Sequence, residues 1–389
     1  MTNAFLKFIG RTVCSLAVAL VCASAALPQC PLDTVGGGLV FPLGIDMTNK
    51  GNLVIGESGT GDPGTGRVSI MDPATGERQT LVAGLPSGIN DVGDPSGPAG
   101  VWMEGRTLYV AIGIGDVIVP GPAPGTAVPN PSGASSPIFS SVLAIHFNAA
   151  MERDISSVTL TAADQVALAA GRTVTKGKGR DKVTIRLIAN FPDYIPNPLP
   201  FFPDNVRASN PYDLIVVGDH LYVTDGGRNL VWDVDLESGD YEPLVEFPPL
   251  PNPFFPDLGG PVVEAVPTGI EYADGRLLVT LFRGFPFPNG MSSVQSIDIE
   301  TGEATPLITG LKSAIDVKAT NGGYLVLRFA SDPFLSPPGS LLFFSDPEAD
   351  PVQFAECLDG PSSMTLSKDG GTVYITQLAT GSVLSVPLN

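Results

Sequence analysis

Four short apolar runs follow one another between Asn210 and Leu244, separated by turns rich in Gly, Asp and Asn. Residues with β-branched and aromatic side chains dominate these runs, and runs of this length that end in turn residues are typical of β-strands. The segment therefore predicts a four-stranded antiparallel meander, a unit that cannot bury its apolar faces alone. The runs are Asp213–Val217, His220–Thr224, Leu230–Val234 and Tyr241–Val245.

The same succession of runs recurs along most of the chain. Recurrence of a four-strand unit at about 40 to 50 residues is typical of the blades of a β-propeller. The sequence therefore predicts an all-β fold, a six-bladed β-propeller, with strands a, b, c and d in each blade from the centre outward. The predicted first strands begin at Pro42, Pro98, Pro211, Pro267, Lys312 and Pro361.

The sixth unit lacks a fourth apolar run before Asn389, whereas a run that resembles one, Leu32–Leu39, precedes the first unit. We expect this segment to complete the last blade, because a closed ring covers a strand edge that would otherwise be free to pair with other chains. Residues 26–389 are thus predicted to form a single propeller.

The first residues, Met1–Ala25, have the features of a secretory signal peptide. Lys7 and Arg11 precede the short apolar run Val13–Ala23, which small residues follow. We therefore expect a secreted protein, extracellular or periplasmic, without membrane insertion. In such an oxidising compartment Cys30 and Cys357 could form a disulfide bond, although the predicted strand order places them near opposite ends of adjacent sheets. The sequence leaves this pairing open.

Long connections between strands b and c, and between one blade and the next, are rich in Phe and Pro. In a propeller these connections lie on the same face, so clustered aromatic rings would surround the mouth of the central channel. This face is a predicted binding site for an apolar small molecule or a protein partner. The alternative is that the rings fold inward against the blades. The candidate residues are Phe201, Phe202, Phe254, Phe255, Phe285, Phe287 and Phe334.

One connection on the opposite face is expanded, from Phe147 to Val183. A capping box from Thr161 to Asp164 predicts a short helix over Gln165–Ala170, and a basic segment follows from Lys176 to Lys182. This basic segment is interpreted as a contact point or, alternatively, as a solvated hairpin tip.

The chain is acidic, with 40 Asp and Glu against 21 Lys and Arg and a net charge of −19. Nucleic acids and anionic membranes are poor partners for such a surface. The chain has two histidines, His146 and His220, and neither stands in a spacing typical of catalytic or metal sites.

Carboxylates on the inner strands are the remaining candidates for chemistry. Aligned by the first strands, Asp46, Glu271 and Asp316 share one position and Asp213 lies two residues earlier. Hard oxygen ligands of this kind near one axis could hold Ca²⁺. The alternative is that they accept hydrogen bonds from exposed backbone at the strand ends.

Five motifs stand out within the repeats: Ser209-Asn-Pro-Tyr-Asp-Leu214, Leu221-Tyr-Val-Thr-Asp-Gly-Gly-Arg-Asn229, Val266-Pro-Thr-Gly-Ile270, Gly284-Phe-Pro-Phe-Pro-Asn289 and Asp298-Ile-Glu-Thr-Gly-Glu303. Together they resemble the ScyD/ScyE family of secreted, NHL-like six-bladed β-propellers. The resemblance implies an exported propeller and offers no catalytic residues to carry over.

These observations favour a non-enzymatic binding scaffold that needs no cofactor. The alternative is a Ca²⁺-dependent lactonase or hydrolase that uses the carboxylates at the channel. A third hypothesis is a purely structural envelope protein.

Overall fold

The computed structural model describes residues 32–148, 157–331 and 333–388. The predicted signal peptide, Met1–Ala25, and Cys30 lie outside these ranges.

Six antiparallel sheets form a closed ring, which confirms the predicted six-bladed propeller. The first strands contact one another in the order of blades 1 to 6, and blade 6 contacts blade 1 again. Strands a to d are Pro42–Met47, Leu53–Glu57, Gly66–Met71 and Arg78–Leu85 in blade 1 and Pro98–Glu104, Thr107–Ile112, Ser141–Phe147 and Val183–Asn190 in blade 2. They are Pro211–Val217, His220–Asp225, Leu230–Asp235 and Tyr241–Glu246 in blade 3 and Pro267–Ala273, Arg276–Leu281, Ser292–Asp298 and Ala304–Leu311 in blade 4. Strands a to d of blade 5 are Ala314–Thr320, Gly323–Arg328, Gly339–Phe344 and Val352–Leu358, and strands a to c of blade 6 are Pro361–Leu366, Thr372–Gln377 and Ser382–Pro387.

The N-terminal strand Asp33–Gly36 is strand d of blade 6, as predicted. It runs antiparallel to Ser382–Pro387, with Asp33 opposite Ser385 and Thr34 opposite Leu384. The two ends of the described chain thus meet in one sheet, so that unfolding any blade opens the ring.

Cys357, on strand d of blade 5, is disulfide-bonded. Its predicted partner, Cys30, lies outside the described residues, so the pairing stays a prediction.

The hydrophobic core lies between neighbouring sheets. All five residues of Leu53–Glu57 are buried, because both faces of this strand b are covered by adjacent blades. Near the axis the inner strands come so close that a Cβ atom on Gly44 would lie 2.4 Å from the carbonyl oxygen of Ala99. Glycine is therefore required where these strands converge.

Four small hairpins form a second layer on the face where the b–c and blade-to-blade connections lie, which we call the loop-rich face. They lie within the connections of blades 1 to 4, whereas the corresponding connections of blades 5 and 6 are shorter. The hairpin strands are Gly88–Ile89 with Pro95–Ser96, Ile118–Pro120 with Ala127–Pro129, Tyr194–Pro196 with Val206–Ala208, and Leu250–Pro251 with Val262–Val263.

The insertion in blade 2 adds a strand to each of two blades. Val158–Thr159 pairs in parallel with strand d of blade 1, and Val174–Lys176 pairs antiparallel with strand d of blade 2. Between them lies helix α1, Ala162–Ala169, and the predicted capping box between Thr161 and Asp164 is present.

The predicted place of this helix, on the face opposite the hairpins, is wrong. The parallel pairing carries the chain along the outer edge of blade 1, and Gln165 Nε2 donates to the carbonyl oxygen of Gly84 at 2.9 Å, at the loop-rich end of strand d. Short 3₁₀ turns span Gly179–Asp181 and Pro333–Leu335. No helix within the described ranges is long and apolar enough to cross a membrane.

Candidate functional site

Exposed hydrophobic side chains concentrate on the loop-rich face. Of the thirteen large hydrophobic side chains exposed among the described residues, ten lie on its connections. A propeller has no structural need for apolar tips in solvent, so this concentration makes the face a candidate contact surface. The ten are Ile89, Val92, Tyr194, Leu199, Phe201, Phe254, Phe255, Val262, Phe285 and Phe334.

Buried asparagines fix the hairpins that carry these side chains. Asn252 Nδ2 donates to the carbonyl oxygens of Leu258 and Gly260, both at 2.7 Å, and its Oδ1 accepts from Phe254 N at 3.0 Å. Asn205 links two hairpins, since its Oδ1 accepts from Ala127 N at 2.9 Å. The tips are therefore ordered loops that hold their aromatic side chains outward.

The predicted ring cluster forms in part. The rings of Phe285 and Phe287 pack edge to face with centroids 5.9 Å apart. On its inner side Phe287 packs against Phe282, with centroids 6.0 Å apart. Phe282 in turn contacts Phe329 at 5.9 Å. Phe287 is half-buried, whereas Phe285 is 48% exposed. Both interpretations of the aromatic loops therefore hold, for different rings of one motif.

The structure brings four of the seven candidate phenylalanines together. Phe254 and Phe255 lie on a hairpin that packs against Phe285, since a Cβ atom on Gly259 would be 3.4 Å from that ring. Phe201, which is 88% exposed, and the half-buried Phe202 lie on the preceding hairpin.

An ion pair joins these two hairpins, with Arg207 Nη2 2.9 Å from Glu264 Oε2. Phe334 is exposed on blade 5, on a separate connection. The exposed rings thus lie on neighbouring connections of blades 2 to 4, with Phe334 apart from them.

The inner-strand carboxylates bind the backbone of the next blade. Asp46 Oδ2 of blade 1 accepts from Met103 N of blade 2 at 2.7 Å, and Asp213 Oδ2 of blade 3 accepts from Ile270 N of blade 4 at 3.2 Å. Asp316 Oδ2 of blade 5 accepts from Met364 N of blade 6 at 2.8 Å. Alternate blades are therefore joined to their neighbours by the same kind of contact.

The predicted register of Asp316 is wrong by two residues. Strand a of blade 5 begins at Ala314, and the hairpin register sets Asp316 level with Asp213. The position shared by Asp46 and Glu271 is taken in blade 5 by Lys318, whose Nζ lies 3.1 Å from Glu271 Oε2 and 3.9 Å from Asp316 Oδ1. A cation of the protein itself thus lies beside two of the carboxylates at the axis, Glu271 and Asp316.

Burial perturbs the titration of this group. Loss of solvation raises the pKa of Asp213 to about 7, with a further increase from the charge of Asp316 and an opposing decrease from Lys318. Burial also raises the pKa of Asp316, against the charge of Lys318. For Asp46, burial raises the pKa to about 6 against the hydrogen bond from Met103. The carboxylates near Lys318 raise its pKa despite its burial.

Tyr212 crosses the ring near the loop-rich face. A bulge between Pro211 and Leu214 redirects its side chain, and its Oη donates to the carbonyl oxygen of Ser362 at 3.0 Å. Ser362 belongs to blade 6, on the opposite side of the axis from blade 3. The phenol therefore lies across the channel between the aromatic face and the carboxylates.

The four carboxylates predicted as metal ligands do not form a ligand set. Within the ranges that the structure describes, no group of three or more His, Cys, Asp or Glu side chains is arranged to hold a metal ion. Their oxygens accept from backbone amides or contact Lys318, so the alternative interpretation of these residues has the stronger geometric support.

Sequence reasoning missed Lys318 and Tyr212. Lys318 would have been found had blade 5 been aligned on its tight a–b turn, where Thr320 pairs with Gly323. No local signal identifies Tyr212, because its partner lies 150 residues later in the chain.

No protein-family model matches this chain, and no curated protein matches it. Solved structures match over nearly the whole chain. The PQQ domain of a pyranose dehydrogenase from Coprinopsis cinerea has 12% identity and a TM-score of 0.51, over 94% of this chain and 99% of that one. An oxidoreductase from Thermus assigned as a glucose dehydrogenase has 14% identity and a TM-score of 0.50, over 92% and 100%. At these identities the similarity shows a shared fold, the β-propeller, and no more.

Proposed function

We propose that this protein is a non-enzymatic binding scaffold that presents the exposed aromatic tips of its loop-rich face to a protein partner. The observation that carries the proposal is the location of ten of the thirteen exposed large hydrophobic side chains on that one face. Large apolar patches on a folded surface typically mark interaction sites.

A protein fits this surface better than a small molecule. Sites for small molecules are concave and enclose most of the ligand, whereas Phe201, at 88% exposure, and Phe255, at 52%, stand out from hairpin tips. Aromatic side chains held on rigid loops are typical anchors of protein interfaces. The hydrogen bonds of Asn205 and Asn252 supply that rigidity.

The surrounding charge indicates the chemistry of the partner. Asp62, Asp94, Asp193, Asp204 and Asp257 are exposed on the same connections. Among the described residues of these connections no Lys or Arg is exposed, because Arg207 and Arg228 are half-buried and Arg283 and Lys312 are buried. We therefore expect a partner segment that combines apolar side chains with Lys or Arg.

The axis supports a structural use of its carboxylates. Asp46, Asp213 and Asp316 each hold a neighbouring blade, which leaves the loop-rich face as the site. The predicted signal peptide and the resemblance to ScyD/ScyE proteins are consistent with a scaffold exported from the cell.

Selection from a displayed library of random peptides would test the proposal. The library is first depleted on the double variant Phe201→Ser with Phe254→Ser and then selected on the wild-type protein. We expect bound peptides rich in aromatic, aliphatic and basic residues, with affinity for the variant lowered at least tenfold, about 1.4 kcal/mol.

The matched control is the double variant Val166→Ser with Val352→Ser, which removes exposed hydrophobic side chains from helix α1 and from strand d of blade 5, outside the aromatic tips. This control should bind the selected peptides as the wild type does. Selection of no peptide, or of peptides that bind both double variants equally, would contradict the proposed site.

A further inference from the structure

Blade 2 carries a concentration of cations that the proposed function does not use. Seven basic side chains lie on its a–b turn, on its insertion and on strand d. Five of them lie toward the face opposite the aromatic tips, and Arg172 and Arg186 lie farther along the outer edge. We call this group the basic strip. It consists of Arg106, Arg172, Lys176, Lys178, Arg180, Lys182 and Arg186.

Tertiary contacts bring the two parts of the basic strip together. Arg106 Nη1 donates to the carbonyl oxygen of Asn148 at 2.6 Å, and Asn148 Nδ2 donates to that of Gly179 at 3.2 Å. Asn148 N also donates to the carbonyl oxygen of Lys182 at 3.0 Å. The a–b turn is therefore adjacent to the tip that carries Lys178, Arg180 and Lys182.

The charges of the basic strip are largely uncompensated. Within the described ranges Lys176 is its one member in an ion pair, with Asp164 at 2.5 Å, and this pair ties the added strand to helix α1. The other six are exposed, with Glu104 and Asp181 as the acidic residues nearest in the chain. Clustered like charges repel one another, and no other part of the chain that the structure describes has such a cluster.

The surface between these cations is polar. Thr175 pairs with Thr184 across the added strand, and Thr107 Oγ1 lies 3.0 Å from His146 Nδ1. None of the exposed large hydrophobic side chains lies on the basic strip. The strip therefore lacks both the aromatic anchors of a protein interface and the stacking platforms that bind single-stranded nucleic acid.

We propose that the basic strip binds a polysaccharide that carries carboxylate or sulfate groups. Lys and Arg form charge-assisted hydrogen bonds with such groups, and the threonines provide partners for sugar hydroxyls. The net charge of −19 repels a polyanion from the rest of the surface, so contact is confined to this strip. Binding is electrostatic and weakens as salt screens it. This inference does not depend on the proposed function of the opposite face.

The test compares three polysaccharides by titration of the labelled protein in 20 to 300 mM NaCl, concentrations that we set on the order of the screening range. Polygalacturonate offers carboxylates, dextran sulfate offers sulfates, and neutral dextran offers neither. We expect the wild-type protein to bind at least one of the two polyanions and not to bind neutral dextran. The double variant Lys178→Gln with Lys182→Gln should weaken that binding about tenfold.

A second double variant, Lys50→Gln with Lys368→Gln, removes the same number of charges from exposed turns of blades 1 and 6. It should bind the polyanion as the wild type does. Equal weakening in both double variants, absence of polyanion binding at the lowest salt, or tighter binding of single-stranded DNA than of either polysaccharide would overturn the proposal. Unchanged melting temperatures establish that both double variants are folded.

Discussion

The axis and the loop-rich face of this propeller use conspicuous residues in opposite ways. At the axis, Asp213 and Asp316 are ionisable yet buried, Lys318 is half-buried beside them, and all three contact a neighbouring strand. On the loop-rich face, Phe201 and Phe255 are apolar yet exposed, and their loops are held by other residues. A buried ionisable side chain or an exposed aromatic side chain indicates either a structural contact or a functional surface. The ionisable side chains at the axis already contact other residues of the protein, which is typical of a structural role.

The largest expected effect is at the axis. Replacement of Lys318 by Met leaves the half-buried Glu271 and the buried Asp316 without their cation. Because the Lys318–Glu271 pair is half-buried, we expect a loss of about 3 kcal/mol, the lower end of the range for buried ion pairs. Urea denaturation should show this loss in the free energy of unfolding. The double variant Lys318→Met with Glu271→Gln should recover part of it. A loss below about 1 kcal/mol, the range of a surface pair, would mean that the axis is more solvated than its burial indicates.

Within the aromatic motif, the two rings should behave differently. Phe287→Ala removes a half-buried ring that contacts Phe282 and Phe285, and we expect a loss of about 2 kcal/mol, below the 3–5 kcal/mol of a fully buried Phe. Phe201→Ser removes an exposed ring and should change the free energy of unfolding by less than about 0.5 kcal/mol. Thermal denaturation of both variants measures the difference. Equal losses would contradict the division of this face into packed and presented rings.

The pH dependence of stability sharpens the description of the axis. A carboxyl group whose pKa is higher in the folded than in the unfolded protein binds more protons when folded, so stability falls as the pH rises through that window. For Asp213 the window runs from the ordinary value of 3.8 to about 7. We expect the free energy of unfolding to decrease between about pH 4 and pH 7, and Asp213→Asn to reduce that slope. Parallel slopes for variant and wild type would show that Asp213 is ionised in both states.

Calcium should have the smallest effect. Because the carboxylate oxygens at the axis accept from Met103, Ile270 and Met364, we expect the melting temperature to be the same in EDTA and in millimolar CaCl₂. A calcium-dependent increase that Asp46→Ala or Asp213→Ala abolishes would instead favour the hydrolase hypothesis.

The blades were predictable because their information is local. Each blade is a run of short strands that alternate with Asp- and Gly-rich turns, and Asp235 to Gly239 shows such a turn closing on the carbonyl of Asp235. The closing strand Asp33–Gly36 was also predictable, since a count of strands leaves one blade incomplete. The register of the hairpins was harder to predict from the sequence. The two-residue error at Asp316 arose because Lys312 and Ser313 belong to the crossover before strand a.

The candidate sites were predictable in residue type but not in environment. The Phe- and Pro-rich connections identified the face, yet nothing in Gly284-Phe-Pro-Phe-Pro-Asn289 distinguishes the packed Phe287 from the exposed Phe285. The basic segment from Lys176 was visible as a run of charges. The proximity of this segment to Arg106 depends on Asn148, which is hydrogen-bonded to both Arg106 and Gly179, two residues that are distant in the chain.

The sequence by itself determined the number of blades, the order of their strands and the face on which the long loops lie, because each follows from periodicity and turn chemistry within a few residues. Tertiary structure alone decided which carboxylate meets which amide, that Lys318 neutralises Glu271, and that Tyr212 reaches Ser362 across the axis. Those contacts join residues of different blades that are distant in the chain. Their geometry depends on the distance between the inner strands in the closed ring. This distance cannot be predicted from a local sequence pattern.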